Sequence, residues 1–395
     1  NKSYNMISVE EAKELVNQNV FPLDVKEISV VNALDFYLAE DIIAPISVPS
    51  FNQSAMDGYA FSFEKIDKYL PVVEEIAAGD TREIEIQSTE SVRIFTGSNV
   101  PNSCDTVVMQ ELTEIVDGKL LVKDAGLKFG GNIRFKGSQI EAGSIALEKG
   151  TKINAATIGF LSTLGITKVK VNQSPSVTII ATGDELVKPG NSLEVGQIYE
   201  SNTFMLKAAL NKMNIEPKIV LVEDNKEATQ NAVSEALANN ELLIISGGIS
   251  VGDYDFVKEA LELNGVVEVF YKVKQKPGKP LYFGKTDSCY VFALPGNPAA
   301  ALTCFYQYVT VAINKMKGAQ NTGLSQLNLP IDRELIKKEG RAVFYKAFTD
   351  FKTVTVLEGQ GSDILKSFSL ANCFVYVKPE VTSINQNDIV EVQLI

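Results

Sequence analysis

The chain of 395 residues contains no histidine. That absence removes the usual general base near neutral pH, the Ser–His and Cys–His nucleophile pairs and the commonest metal ligand. Any catalysis must rest on carboxylates, lysines, arginines, hydroxyls, backbone amides or a hard cation held by oxygen. Cysteine is scarce: Cys104, Cys289, Cys304 and Cys373 lie far apart, with no C-x-x-C. Neither a zinc knuckle nor a disulfide framework is indicated, and free thiols are expected. No apolar run reaches the roughly 18 residues of a membrane span. The first residues, NKSYNMISVEEAK, hold no apolar signal core. The expectation is a soluble cytoplasmic protein with no membrane partner. Basic residues are outnumbered, 37 against 49 acidic, for a net charge of -12. Broad nucleic-acid binding is excluded, because phosphate contacts need basic surface. An anionic ligand needs a local basic site inside an acidic protein.

What is present suits packed cores. Hydrophobic residues make up 45% of the chain, and at about 150 residues per domain the length suggests two to four domains. Residues 8–19 predict a helix capped by Ser8, with Glu11 three residues on. From about 45 to 145 the pattern is strand-like and turn-rich, and 154–165 predicts a short helix closed by Gly165. The two helices lie outside the β-rich block, which therefore reads as an insertion in a discontinuous domain. From about 175, strands alternate with helices: SVTIIA (176–181), a helix at 201–214 with Ser201 as cap, KIVLVED (218–224), a helix at 225–240, ELLIISGG, DFVKEALELNG, CYVFAL (289–294) and a helix at 298–316. This alternation predicts an α/β parallel sheet, whose ligands sit at the carboxyl ends of its strands. TGDEL, Glu223-Asp224, SGGISVGDYD and LPGNP all fall at such ends. After about 320 the chain is strand-rich and reads as a small β domain.

ISGGISVGDYD (245–255) has glycines suited to an anion nest and ends in two aspartates. The positive charge comes from YKVKQKPGKPLYFG (271–284). If 271–276 is extended, Lys272, Lys274 and Lys276 share a face, with Lys279 after a Pro-Gly turn. One Lys–phosphate pair at ~4 Å is worth roughly 4 kcal/mol at an effective dielectric of ~20. The lysines also read as a solvated strand edge, but their place beside the glycine loop favours a ligand. The aspartates read either as ligands of a divalent cation such as Mg²⁺ or as caps of the next helix. Together with Asp224 and Glu185 they are more acid than capping requires. Asp184 reads as a turn residue, as does Asp57 in SAMDGYA. Thr96-Gly97 admits a turn reading too. PGNPA reads as a helix start with Asn297 at the cap and Pro298 at the first position.

SAMDGYA (54–60), RIFTG-x-x-x-P-x-x-x-D-x-VV-x-x-E (93–111), NIR-x-x-G (132–137), TGDEL (182–186), SGG-x-S-x-G-x-x-D (246–255), KPGKP (276–280) and LPGNP (294–298) follow in this order. In this the chain resembles the MoeA-type molybdopterin molybdenumtransferases, related to the C-terminal domain of gephyrin, from about residue 7 to its end. The resemblance implies a multidomain, elongated α/β plus β fold. Its parts would be a discontinuous linker domain (1–44 and 141–174), an inserted β-rich domain (45–140), a molybdopterin-binding α/β domain like the molybdopterin adenylyltransferases (175–319) and a C-terminal β-barrel (320–395). It implies insertion of molybdate into adenylylated molybdopterin, with a divalent metal and release of AMP, in a homodimer. An adenylyltransferase and cofactor-accepting molybdoenzymes would be partners. Carried over by motif, Glu185, Asp224 and Asp255 stand near metal and molybdate. Lys276 and Lys279 hold phosphates. Thr182, Gly183, Ser246, Gly247, Gly248, Ser250, Gly252, Pro295, Gly296 and Asn297 line the substrate. Asp57, Thr96 and Arg134 come from the partner subunit. Two departures stand out. Gln139 replaces an expected acid, and Val343 replaces the glutamate of Gly-Arg-x-Glu-Phe. Both are read as lying away from the acid–lysine core.

Overall fold

The computed structural model describes residues 6–223, 225–249 and 256–395. The helix Val9–Asn19 starts as its capping pattern predicts, with the Glu11 amide donating to Ser8 Oγ at 3.0 Å. Its apolar side, Val9, Ala12 and Val16, is buried in the largest core. The strand Val25–Ser29 pairs antiparallel with Lys168–Asn172, and Ile42–Ile43 pairs with Ile145–Leu147. The segments flanking residues 45–140 are thereby stitched together around Val30, Leu38, Ile153, Leu161 and Val171. Between them stands a six-stranded sheet in the order Thr106–Met109, Gly58–Phe61, Ser91–Ile94, Leu70–Ile76, Lys119–Val122, Thr113–Val116. It has two small cores of its own. Only glycine fits at position 58: a Cβ there would lie 1.8 Å from the Val108 carbonyl oxygen on the neighbouring strand.

The second half holds the α/β sheet, ordered Lys218–Val222, Val177–Thr182, Leu242–Ser246, Tyr290–Leu294, Tyr282–Lys285, Val267–Tyr271. The first four strands are parallel, as the alternation predicts, and two antiparallel strands extend one edge. Leu242–Ser246 is buried on both faces, which explains its unbroken apolar run. The predicted helix at 298–316 is one buried helical run, but its middle, Phe305–Val309, is a π-helical turn.

The C-terminal strands form a half-barrel sheet in the order Gln275–Lys276, Ala342–Thr349, Cys373–Val377, Ile389–Leu394, Gln326–Pro330, with Val354–Val356 alongside. Strand alternation splits its side chains between two cores. Cys373, Val375 and Val377 pack inside the half-barrel. Phe374 and Tyr376 join Phe305 and Tyr308 in the core of the α/β half. The β segment is thus packed into its neighbour rather than standing apart.

All four thiols are free and buried. Burial pushes Cys104, Cys289 and Cys373 up to about 12 and raises Cys304 as well. Since the thiolate is the reactive form, the native protein should take up no aromatic disulfide reagent at about pH 8. The unfolded chain should react at all 4 cysteines. Fast labelling of any native thiol would contradict this burial.

Candidate active site

A cleft of about 550 Å³ opens over the carboxyl ends of the parallel strands. Three turns line it, each following a buried strand: Thr182, Gly183 and Glu185; Ser246, Gly247 and Gly248; Pro295, Gly296 and Asn297. The structure therefore brings nine of the residues expected from the sequence to one place. The glycines permit the close approach. A Cβ on Gly247 would stand 3.1 Å from the Thr182 carbonyl oxygen, and one on Gly296 would stand 3.9 Å from Gly247 Cα. Gly247 and Gly248 have φ of +90° and +66°, left-handed values that favour glycine. The Tyr271 hydroxyl donates to the Ile249 carbonyl at 2.9 Å and tethers the second turn from below.

Asn202 escaped the sequence reading. Its Nδ2 donates to Ser246 Oγ and to the Gly296 carbonyl, both at 2.8 Å, and so ties two of the turns together. Its Oδ1 is buried and accepts no hydrogen bond among the described residues, which leaves an acceptor for a ligand N–H. The helix predicted from 201 runs Asn202–Asn211, and Ser201 makes no side-chain cap. Instead the buried Glu200 accepts the Thr203 amide at 2.7 Å and the Thr203 hydroxyl. The signal in the sequence was an asparagine in the first turn of a helix beside the strand ends.

The lysines are arranged differently from the expectation. The strand stops at Tyr271, and Lys272 has φ of +74°, so Lys272, Lys274 and Lys276 do not form one strand face. Beyond the break, Val273 and Gln275 are buried while Lys274 and Lys276 are exposed. Lys279 is exposed as well; its neighbour Pro280 is the residue of this turn that lines the cleft. A second residue missed by sequence, Gln275, holds the turn in shape. Its Nε2 donates to the carbonyls of Pro277 and Gly278, each at 3.1 Å, and its Oε1 accepts the Tyr308 hydroxyl. Gly278 is needed because a Cβ would lie 2.4 Å from Cys304 Sγ. Gln275–Lys276 pairs in parallel with Ala342–Val343, which places Val343 in register with Lys276. The departure at 343 is therefore not remote from the lysines: an apolar residue stands in register with Lys276 where the resemblance implies a glutamate. Gln139 is exposed, its amide donating to the Val48 carbonyl at 3.0 Å.

Asp57, Thr96 and Arg134 do not line this cleft. They gather at one end of the inserted sheet. Asp57 Oδ1 accepts both the amide and the hydroxyl of Thr96 at 2.8 Å, and these bonds hold its carboxyl below the usual range. The Asp57 carboxylate thus clamps the Phe-Thr-Gly turn from the residue just before the strand Gly58–Phe61. Ile133–Arg134 pairs with Gln53–Ser54, the Gly97 amide donates to the Ser54 carbonyl at 2.8 Å, and Arg134 is exposed. Three motifs distant in sequence thus form a second cluster. Asp224, Ser250, Gly252 and Asp255 lie outside the described residues. Among the described residues, no three ligand-type side chains stand together as a metal site, and Glu185 is the member of the expected acidic set whose place in the cleft is described.

A parallel α/β core with glycine turns at its strand ends defines a ligand-binding α/β fold, and the comparisons with known proteins narrow it. Residues 178–315 match a probable molybdopterin binding domain. Residues 7–165 match the MoeA N-terminal region (domain I and II), and 328–395 the MoeA C-terminal region (domain IV). A molybdopterin molybdenumtransferase of Haemophilus influenzae is 34% identical over 98% of each chain. One from Staphylococcus epidermidis is 38% identical over 80% of this chain and 77% of its own. A crystal structure of the molybdopterin biosynthesis MoeA protein of Pyrococcus horikoshii OT3 superposes with a TM-score of 0.86 at 26% identity, covering 99% of this chain and 100% of that one. The chain belongs to the MoeA family of molybdopterin molybdenumtransferases. Among the described residues, no helix is long and apolar enough to cross a membrane.

Proposed function

We propose that the chain inserts molybdate into adenylylated molybdopterin at this cleft, releasing AMP. The observation that carries the reading is the meeting of the three turns over the strand ends, with Pro280 bringing the lysine turn to their rim. The Gly248 backbone amide suits a phosphate oxygen, whereas the Gly247 amide donates to the Leu294 carbonyl at 3.4 Å. Asn202 keeps the Ser246 and Gly296 turns at fixed separation. Lys276 and Lys279 supply the charge that neutralises the leaving phosphate as the phosphoanhydride breaks. Glu185 provides carboxylate oxygens suited to a hard cation, with Asp224 and Asp255 as the further expected ligands. When bound, Mg²⁺ supplies charge neutralisation between carboxylates and phosphate.

The reading includes a homodimer, in which Asp57, Thr96 and Arg134 of a second copy complete the cleft. Supporting it, these residues cluster on an exposed end of the inserted sheet, away from the cleft of their own chain. Phe21, Val25, Val31 and Leu34 are large apolar side chains left exposed for a partner. Four unpaired thiols suit a reducing, cytoplasmic compartment.

The test is AMP release from adenylylated molybdopterin with Mg²⁺, with and without molybdate. Molybdate-stimulated release is expected. Tight binding of the nucleotide with no release under either condition would make the protein a ligand-holding scaffold instead.

A further inference from the structure

Lys346 sits in the strand Ala342–Thr349 and is 2% exposed. Burying an ammonium is costly unless every donor is used. All three donors of Lys346 go to one loop: Nζ donates to the carbonyls of Gly359 at 2.8 Å, Gly361 at 3.2 Å and Ile364 at 2.8 Å. The loop is fixed further by Gln360, whose Oε1 accepts the Lys346 amide at 2.9 Å and whose Nε2 donates to the Lys346 carbonyl at 2.8 Å. Ser367 Oγ donates to the Gly359 carbonyl at 2.6 Å.

At the far side of this loop stands Ser362. Its Oγ accepts Asn297 Nδ2 at 2.8 Å, and its carbonyl accepts the Ala300 amide at 3.0 Å. Asn297 lines the cleft. Ala300 lies in the first turn of the helix Pro298–Cys304, where amides have no partner within the helix. The sequence predicts Asn297 as the cap of this helix, but its side chain makes no cap bond. The C-terminal loop supplies the missing acceptor, and the Asn297 side chain is turned to Ser362.

We propose that Lys346 is a positioning residue for the reaction: it holds the 359–364 loop so that Ser362 sets the Asn297 side chain and the Pro295–Pro298 turn at the cleft. This rests on the reading of the cleft as the substrate site. The test is Lys346→Met, alone and with Asn297→Ala, followed by steady-state AMP release and by amide exchange at Ala300. The KM for adenylylated molybdopterin should rise about tenfold with kcat within about twofold, the mark of lost ground-state positioning. The Ala300 amide should exchange about tenfold faster. The double variant should bind no worse than Asn297→Ala alone, because both changes break one chain of contacts. If Lys346→Met does not fold, Ser367→Ala loosens the same loop more gently and should show a smaller KM rise with the same non-additivity. Independent, multiplying effects of the two substitutions would overturn the proposal. Unchanged exchange at Ala300 would overturn it whatever the kinetics. Wild-type AMP release reports separately on the activity, so a failure of that reading is recognised without the variants.

Discussion

Gly248→Ala should cut kcat/KM for AMP release by at least about 30-fold, which corresponds to about 2 kcal/mol. Two costs act at this position. With φ at +66° the backbone is left-handed, a region worth roughly 1–2 kcal/mol against a residue carrying a Cβ. The new methyl would also stand 2.6 Å from Val257 Cγ2 and 3.0 Å from Thr182 Oγ1. Val257 is buried and cannot swing into solvent, so the glycine turn must move. The second substitution Val257→Ala removes the overlap but not the backbone cost. The pair should therefore recover part of the lost activity, at some expense in stability. Full activity in Gly248→Ala would mean that the turn does not touch the substrate.

A second large effect is expected at Glu185. Among the described residues, two carboxylates line the cleft, Glu185 and Glu200, and they differ in their commitments. Glu200 spends its oxygens on Thr203 at the start of a helix. The Glu185 carboxylate makes no hydrogen bond or ion pair among the described residues, while its backbone carbonyl accepts the Ile198 amide at 2.9 Å, and its carboxylate oxygens lie 2.8 Å and 2.9 Å from where a Cβ on Gly183 would sit. Glu185→Gln should lower Mg²⁺-dependent AMP release by about 10²-fold, with higher Mg²⁺ needed for half-maximal rate, because a hard cation prefers charged oxygen. Glu200→Gln should lower thermal stability and leave the Mg²⁺ requirement in place. Identical Mg²⁺ titrations for wild type and Glu185→Gln would remove Glu185 from the proposed metal site.

Local features of the fold were legible in the sequence because their causes are local. Ser8 and Asn154 each receive the amide three residues on and begin helices where capping chemistry says they should. Buried strands end in glycine turns, and those turns converge because a parallel sheet lines up its carboxyl ends. What spacing does not carry is the partner of a residue far along the chain. Lys272 adopts a left-handed conformation that no neighbour announces. Gln275 reads as a polar residue between lysines until Tyr308 is brought to it. The π-helical turn at Phe305–Val309 lies in a run whose pattern suits an unbroken helix. Val343 is 67 residues from Lys276 in sequence and next to it in the sheet. Asn297 illustrates the same limit: its composition context predicts a cap, and a loop from 65 residues away changes its task.

The short pairing of Gln275–Lys276 with Ala342–Val343 also bears on how such a protein is inherited and dismantled. The change of pattern near 320 is a change of secondary structure and not a break in packing, since Phe374 and Tyr376 share a core with Phe305 and Tyr308. A gene fragment ending there would encode an α/β half with an unpaired strand edge beneath its lysine turn and an uncovered aromatic face. Recombination between relatives at this point is therefore expected to be tolerated poorly, and the two halves are expected to exchange as one cassette and to melt as one cooperative unit.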